Sequence, residues 1–215
     1  MDGLLVDSER TTRTVWQGAT SDCGFALTDE TYLTLIGLGA EEAERVLARQ
    51  FGEGFAIPAF RERRLARMET MLKTGGAPFK SGARAIVTWV ASLGLPVGLA
   101  TSSRGSEVRE RLGDLTDLFT TITTRDDAAR GKPHPDIFLA AAASLGVPPG
   151  ECLAIEDSFA GVRAAAAAGM TVLMVPDLAQ PTAEIAKLTA AVYATLVDVQ
   201  AALAESWAAK PPDPE

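Results

Sequence analysis

From Ser81 onward the sequence alternates short apolar runs with helical patterns, and this alternation limits the fold more than any other feature. The apolar runs cover 96–100, 119–123, 152–155, 171–175 and 190–194. Helical patterns separate them, over 81–93, 105–112, 135–146 and 161–168, with a last one reaching about Trp207. We expect Ser81 to cap the first of these helices and Gly94 to end it. Strands that are apolar throughout must be buried on both faces, so the sequence predicts a doubly wound, Rossmann-like parallel sheet of the α/β class.

The segment 9–78 follows a different pattern, with apolar residues at helical spacing throughout. Helices are predicted over 10–23, 29–36, 41–51 and 59–73, with glycines between them. We therefore predict a core domain made of 1–8 and 79–215, with an all-helical insert, the cap, over 9–78. A chain of 215 residues suits a core with one smaller insert. The polar, Pro-rich tail 210–215 has little means of ordering itself.

Composition argues against several classes of function. The net charge of −8 disfavours nucleic acid as a partner, because phosphate-backbone binding needs clustered Lys and Arg. His134 is the only histidine, which argues against histidine zinc sites and Ser-His-Asp hydrolases. Cys23 and Cys152 form no CxxC pair, as expected in a reducing cytoplasm. The uncharged stretch 86–103 is broken by glycines and a proline, and no apolar leader opens the chain. We expect a cytoplasmic monomer with no membrane partner.

Polar residues follow two of the predicted strands, where parallel sheets bind their ligands. Glu156 and Asp157 follow the strand 152–155. Two adjacent carboxylates repel each other unless a cation lies between them, and hard oxygen ligands favour Mg²⁺. The alternative is an acid pair stabilised by the dipole of the following helix. Thr101 and Ser102 follow the strand 96–100, where hydroxyl and backbone N–H groups form a phosphate cradle or, alternatively, a simple helix cap.

Two loops carry further candidates. Lys132 lies between Gly131 and Pro133, and a lysine fixed in this loop would neutralise phosphate and carboxylate charge. The alternative is a solvated lysine, which is the usual state of this side chain. His134 is assigned no catalytic role. The segment Gly37-Leu38-Gly39-Ala40 lacks the third glycine of a dinucleotide fingerprint and follows no strand, so we interpret it as a helix connector.

Four motifs in order carry a family resemblance. They are Asp-Gly-x-x-x-Asp-Ser from Asp2, Thr-Ser-Ser from Thr101, Gly-Lys-Pro-x-Pro-Asp around Lys132, and Glu-Asp-Ser-x-x-Gly from Glu156. This series resembles the haloacid dehalogenase superfamily of phosphatases, in the branch with a helical cap after the first motif. The resemblance implies an Mg²⁺-dependent phosphatase that acts on a small phosphorylated metabolite, a sugar or nucleoside monophosphate, through an aspartyl-phosphate. Pseudouridine-5′-phosphate and sugar-phosphate phosphatases are the most similar members.

The resemblance also implies roles for single residues. Asp2 would be the general acid and base, and its backbone carbonyl would bind Mg²⁺. Asp157 would be a direct metal ligand, supported by Glu156. The phosphoryl oxygens would be held by Thr101, Ser102 and Lys132.

The cap would select the substrate. We expect contacts from Thr12 and Trp16 on the first cap helix and from the connector at Ala40, although Trp16 also suits a position in the core of the cap. The main alternative enzyme is a beta-phosphoglucomutase-like phosphotransferase. Its cap histidine would fall on Thr12 and its cap arginine at about Ala40, so the sequence favours hydrolysis over phosphate shuttling.

One family feature falls outside the sequence as it stands. The resemblance places the aspartate nucleophile two residues before Asp2, at the end of a central apolar strand, and this position precedes Met1. One explanation is a sequence that begins at an internal methionine, and the other is a catalytically silent protein that only binds phosphate. We favour the first, because the remaining motifs and core are intact.

Overall fold

The computed structural model describes residues 1–36, 38 and 40–208. The chain divides into two compact units, Met1–Asp7 with Phe79–Glu215 and Ser8–Pro78. We call the first the α/β unit and the second the helical unit. Within the described residues, none of the helices is both long and apolar enough to cross a membrane.

The helical unit contains four α-helices and, in its described residues, no strand. They are α1 (Ser8–Asp22), α2 (Asp29–Leu33), α3 (Ala40–Phe51) and α4 (Ile57–Lys73). α1 packs along α4, and the side chains of Leu47 and Phe60 are fully buried. Glu44 is buried as well, with ion pairs to Arg61 and Arg64. α2 ends at Leu33, three residues before the predicted end, and the chain continues in turns after that residue.

The α/β unit alternates helices and short strands, as the sequence predicts. Its strands are β1 (Gly98–Ala100), β2 (Thr121–Thr123), β3 (Leu153–Glu156), β4 (Thr171–Met174) and β5 (Ala191–Val192). Its α-helices are α5 (Ala83–Ser92), α6 (Gly105–Leu112), α7 (Asp136–Leu145), α8 (Phe159–Ala167), α9 (Ala183–Ala186) and α10 (Leu196–Ala208). Short 3₁₀ helices cover Gly113–Leu118, Arg125–Asp127 and Pro149–Glu151.

All strand pairs are parallel, which confirms the predicted α/β class. In the described part of the chain the strands pair in two groups. β1 pairs with β2, and β3, β4 and β5 pair in that order. α7 packs against β1 and β2, and α8 packs against β3 and β4. Phe138, Val162, Val172 and Met174 belong to the core between these helices and strands. The carboxyl ends of the strands are therefore held by a buried apolar layer beneath them.

The predicted cap at Ser81 is wrong. α5 begins at Ala83, and its N-cap is Gly82, which has φ +81° and makes no side-chain capping bond. A Cβ atom at Gly82 would lie 2.8 Å from the backbone nitrogen of Val197. The start of this helix is thus set by close packing against α10 rather than by a local serine cap. The short helix α9 is a second feature that the sequence patterns did not predict.

The first residues form a tight loop that is attached to the α/β unit. The Gly3 N–H donates to the Val6 carbonyl at 2.9 Å, and the Leu5 N–H donates to the Met1 carbonyl at 2.8 Å. The Lys80 N–H then donates to the Leu5 carbonyl at 2.9 Å. Val6 is nearly fully buried, so this loop is anchored by both hydrogen bonds and apolar packing. The anchored loop fixes the position of Asp2.

Candidate active site

Polar residues that follow β1 and β3 contact the Asp2-Gly3 loop. A Cβ atom at Gly3 would lie 2.2 Å from Oδ2 of Asp157 and 3.2 Å from Oδ2 of Asp177. Gly3 also has φ +75°, a conformation that favours glycine. The Asp2-Gly3 pair therefore lies directly against the carboxylate that follows β3, and only glycine leaves room for this contact.

The carboxylate of Asp2 is oriented by two side chains. Its Oδ2 accepts a hydrogen bond from Oγ of Ser103 at 2.6 Å. Its Oδ1 forms an ion pair with Nη1 of Arg111, on α6. Nη2 of Arg111 also donates to Glu107, one helical turn away, at 3.0 Å. Asp2 is thus held at both oxygens, and it connects the loop after β1 with the loop at the start of the chain.

Thr101 is the first residue after β1, and it is 2% exposed. Its N–H donates to the Thr123 carbonyl at 2.9 Å, which continues the ladder with β2. Its Oγ1 accepts a hydrogen bond from the Ser103 N–H at 3.1 Å. Ser102 is exposed. Of the hydroxyls in this turn, that of Ser103 donates to Asp2, whereas Ser102 is exposed.

Lys132 and Glu156 form a buried ion pair. Their side chains are 11% and 6% exposed, and Nζ of Lys132 also lies 4.9 Å from the ring centre of Phe138. Oε2 of Glu156 accepts hydrogen bonds from the Asp157 N–H, the Ser158 N–H and the Ser158 hydroxyl, at 3.1, 3.3 and 3.2 Å. Burial alone would raise the pKa of Glu156, but the charge and hydrogen bond of Lys132 hold this pKa below its ordinary value. The ammonium of Lys132 is therefore fixed next to an ionised carboxylate.

Asp157 has the opposite electrostatic environment. Burial and the nearby charge of Glu156 raise the pKa of Asp157 to about 7. The charge of Asp177 acts in the same direction. Asp177 itself forms an ion pair with Nζ of Lys80 at 2.5 Å, and both side chains are largely buried. Asp157 is thus the carboxylate whose ionised form would gain most from a nearby cation.

The donor set around Asp157 suits a hard cation. Within residues 1–36, 38 and 40–208, no three His, Cys, Asp or Glu side chains lie close enough together to hold a metal ion. Mg²⁺ does not need such a cage, since it keeps several waters and binds one or two carboxylates together with substrate phosphate. Asp157 has a half-buried carboxylate with a raised pKa, and Asp2 is next to the Gly3 that contacts it. These residues therefore fit an Mg²⁺ ion that is completed by backbone, water and phosphate oxygens.

The three predicted substrate residues lie in the helical unit, and their role remains a prediction. Thr12 is half-buried on α1, and Ala40 is the exposed first residue of α3. Trp16 is 6% exposed and packs edge-on against Tyr32 and Phe60, with ring centres 6.5 and 5.4 Å away. Trp16 is therefore part of the core of the helical unit. Gly37 and Gly39 of the predicted connector lie outside the described residues.

Four contacting residues were not predicted from the sequence. They are Lys80, Ser103, Arg111 and Asp177. Asp177 follows β4 closely, so the rule that identified Glu156 and Asp157 could have found it. Ser103 belongs to the motif Thr-Ser-Ser from Thr101, but the pattern alone does not show which hydroxyl contacts Asp2. Lys80 and Arg111 carry no local signal, because their roles depend on tertiary contacts.

Comparison with known proteins gives consistent matches. The family model described as haloacid dehalogenase-like hydrolase matches residues 1–169. A Drosophila melanogaster protein named "Probable pseudouridine-5′-phosphatase" is 32% identical over 185 residues, which cover 82% of this chain and 79% of the relative. Hexitol phosphatase B of Escherichia coli (strain K12) is 34% identical over 184 residues, covering 82% and 81%. The structure of a HAD family hydrolase from Deinococcus radiodurans R1, with bound phosphate and sodium, is 29% identical. It covers 98% of this chain and 95% of that chain, with a TM-score of 0.81.

Proposed function

This chain belongs to the haloacid dehalogenase-like hydrolases, and we propose that it is a phosphatase that removes phosphate from a small sugar or nucleoside monophosphate. The single observation that supports this most is the contact of the Asp2-Gly3 loop with Asp157 at the carboxyl ends of the strands. Through this contact the Asp2 carboxylate, held by Ser103 and Arg111, lies at the end of the strand that carries Glu156. Glu156 in turn holds the ammonium of Lys132. Relatives named as a hexitol phosphatase and a pseudouridine-5′-phosphatase support this substrate class.

The proposed reaction has two steps. The family resemblance implies an aspartate two residues ahead of Asp2, at a position that precedes Met1. Its carboxylate would attack phosphorus as the bond between phosphorus and the leaving alkoxide breaks. Asp2 donates a proton to this alkoxide, and it then takes a proton from the water that hydrolyses the aspartyl-phosphate. Ser103 and Arg111 hold both oxygens of Asp2, so the carboxyl group keeps one orientation through both steps.

Lys132 and Thr101 hold the phosphoryl group in this proposal. The Lys132 ammonium is fixed by Glu156 and lies over the ring of Phe138, so its charge is available without a large loss of side-chain freedom. Glu156 thereby acts as a positioning residue for Lys132. Its direct contact with a metal ion, predicted from the sequence, stays a prediction. In the structure its oxygens accept bonds from Lys132, the Asp157 N–H and Ser158.

Asp157 and the backbone carbonyl of Asp2 are the groups that would hold Mg²⁺. The ion supplies charge neutralisation, which lets an anionic nucleophile approach an anionic phosphate. The raised pKa of Asp157 supports this assignment, because a carboxylate with this environment binds a cation in exchange for its proton.

The test is phosphate release in Mg²⁺ from a panel of hexitol, hexose and nucleoside monophosphates, pseudouridine 5′-phosphate included. The chain as printed is compared with one in which an apolar strand ending in Asp precedes Met1-Asp2-Gly3. We expect turnover from the extended chain. In that background, Asp2→Asn should lower kcat by at least about 100-fold. Asp117→Asn, at an exposed surface carboxylate, is the matched control and should leave kcat unchanged.

Three results would contradict the proposal. Phosphate binding without turnover in the extended chain would identify a phosphate-binding protein instead. Full activity in Asp2→Asn would remove the assigned acid and base. Transfer of phosphate to a second sugar hydroxyl, in place of release, would identify the phosphotransferase.

A further inference from the structure

A buried ion pair joins two distant parts of the α/β unit beside the candidate metal site. Nζ of Lys80 lies 2.5 Å from Oδ1 of Asp177, and the two side chains are 17% and 6% exposed. Burying two charges is costly even when they pair, and apolar side chains of similar size are often at least as stable in their place. The position of the Asp177 carboxylate indicates a role besides stability.

The backbone holds both partners of this pair in place. The Lys80 N–H donates to the Leu5 carbonyl at 2.9 Å. At the other partner, the Val175 N–H donates to the Glu156 carbonyl at 2.8 Å, which extends the parallel ladder of β3 and β4 to within two residues of Asp177. Asp177 is therefore fixed beside the strand end that carries the candidate metal ligand.

Gly3 shows how closely Asp177 approaches Asp157. A Cβ atom at Gly3 would lie 2.2 Å from Oδ2 of Asp157 and 3.2 Å from Oδ2 of Asp177. The two oxygens are therefore no more than about 5.4 Å apart, which is the sum of these two distances. The charge of Asp177 also contributes to the raised pKa of Asp157, in agreement with this short separation.

A separation of this size suits one bridging water. Mg²⁺ holds its ligands in an octahedron at about 2.1 Å, so neighbouring ligand oxygens are about 3 Å apart. A hydrogen bond from a metal-bound water to a carboxylate adds about 2.7 Å, so that such a bridge spans up to about 5.7 Å. Direct binding by Asp177 fits less well, because its Oδ1 already pairs with Lys80. In the part of the chain that the structure describes, moreover, no three acidic, histidine or cysteine side chains form a metal-binding cluster.

We propose that Asp177, oriented by Lys80, is a positioning residue that accepts a hydrogen bond from a water bound to the Mg²⁺ that Asp157 would hold. Partners of this kind orient a metal site from beyond its direct ligands, and their loss typically weakens metal binding about 10–100-fold. The inference rests on the proposed function, because that proposal places Mg²⁺ at Asp157. The alternative is an ion pair that only attaches Lys80 to the end of β4.

The experiment measures Mg²⁺ binding to the full chain by calorimetry, and the stabilisation by Mg²⁺ in urea unfolding. Asp177→Asn alone would not separate the two explanations, because it leaves the Lys80 ammonium near the site without its counterion. The decisive protein is the double variant Lys80→Met/Asp177→Asn, in which the pair keeps a net charge of zero. The matched control is Arg109→Met/Asp117→Asn, at an ion pair whose side chains are 74% and 68% exposed.

We expect Lys80→Met/Asp177→Asn to bind Mg²⁺ at least about tenfold more weakly than the unsubstituted chain. The same variant should gain less stability from a given Mg²⁺ concentration. The control double variant should match the unsubstituted chain in both measurements. If circular dichroism shows that Lys80→Met/Asp177→Asn is unfolded, Asp177→Glu replaces it: this variant keeps the charge but moves the carboxylate by one methylene, and it should also weaken Mg²⁺ binding.

An Mg²⁺ affinity of Lys80→Met/Asp177→Asn equal to that of the unsubstituted chain would overturn the inference. Asp157→Asn separates this outcome from a failure of the proposed function. If Asp157→Asn weakens Mg²⁺ binding and the double variant does not, only the role of Asp177 is wrong. If the unsubstituted chain binds no Mg²⁺, or Asp157→Asn binds it equally well, the metal site of the proposed function is wrong, and the role of Asp177 is wrong with it.

Discussion

Asp157→Asn should stabilise the protein at alkaline pH and have less effect at acidic pH. Burial and the charge of Glu156 raise the pKa of Asp157 from 3.8 to about 7. The difference, 7 − 3.8, is about 3, and each pH unit corresponds to about 1.4 kcal/mol, so ionised Asp157 costs about 4 kcal/mol of stability well above pH 7. A carboxyl group with a raised pKa binds more protons in the folded than in the unfolded state. Its cost is therefore relieved as the pH falls from 7 toward 4.

The assay is urea unfolding of the unsubstituted chain and of Asp157→Asn at pH 8 and pH 5, with a chelator present. We compare the free energy of unfolding of Asp157→Asn with that of the unsubstituted chain. With pKa values for Asp157 of about 7 in the folded and 3.8 in the unfolded state, the excess stability of the variant should fall by roughly 2–3 kcal/mol from pH 8 to pH 5. Taking the difference between the two proteins removes the contribution of the other carboxyl groups. Asp117→Asn, at an exposed carboxylate, should give a small difference at both pH values. An advantage of Asp157→Asn that is the same at both pH values, or that grows as the pH falls, would refute the reasoning.

Three further predictions concern packing and buried charge, all measured as the free energy of unfolding in urea. Gly161→Ala should cost about 1–3 kcal/mol, because its Cβ would lie 2.1 Å from the carboxylate of Glu156; an equal cost in a Glu156→Ala background would contradict this contact. Lys132→Met should cost about 3–5 kcal/mol by leaving Glu156 buried without its cation, whereas Lys73→Met, in an exposed pair, should cost less than about 1 kcal/mol. Glu44→Gln should cost about 1.5–3 kcal/mol, because a neutral amide forms weaker hydrogen bonds to Arg61 and Arg64. An unchanged free energy of unfolding would show that the ion pairs of Glu44 only offset the cost of burying its charge.

Sequence patterns predicted the elements better than their pairing. The helix over 105–112 has the predicted bounds, and the strand predicted over 152–155 occurs at Leu153–Glu156. Local apolar periodicity and glycine stops determine these features, so they are visible in the sequence. The start of α5 at Ala83 is not, because it depends on the approach of Gly82 to Val197, far along the chain.

In the candidate site, too, local features could be predicted from the sequence and tertiary contacts could not. The rule that ligands bind beyond the carboxyl ends of parallel strands located Thr101, Glu156 and Asp157 from strand order alone. It did not reveal Arg111, since a helical arginine with an acidic residue one turn away is typical of a solvated surface. Nor did it reveal that Lys132 pairs with Glu156, because that contact depends on how the loop after the 3₁₀ helix Arg125–Asp127 folds back. Residue types at strand ends were therefore predictable, and their partners were not.

The spacing of two motifs has a direct packing explanation. Gly3 leaves room for the carboxylate of Asp157, and Gly161 leaves room for the carboxylate of Glu156, with hypothetical Cβ distances of 2.2 and 2.1 Å. Each of these two acids therefore requires a glycine on the segment packed against it. Neighbouring carboxylates this close to backbone cannot move apart to relieve their repulsion, so the cost appears in the pKa of Asp157. Stability is lost at the position where a cation would restore it, which links the packing of the two glycines to the proposed chemistry.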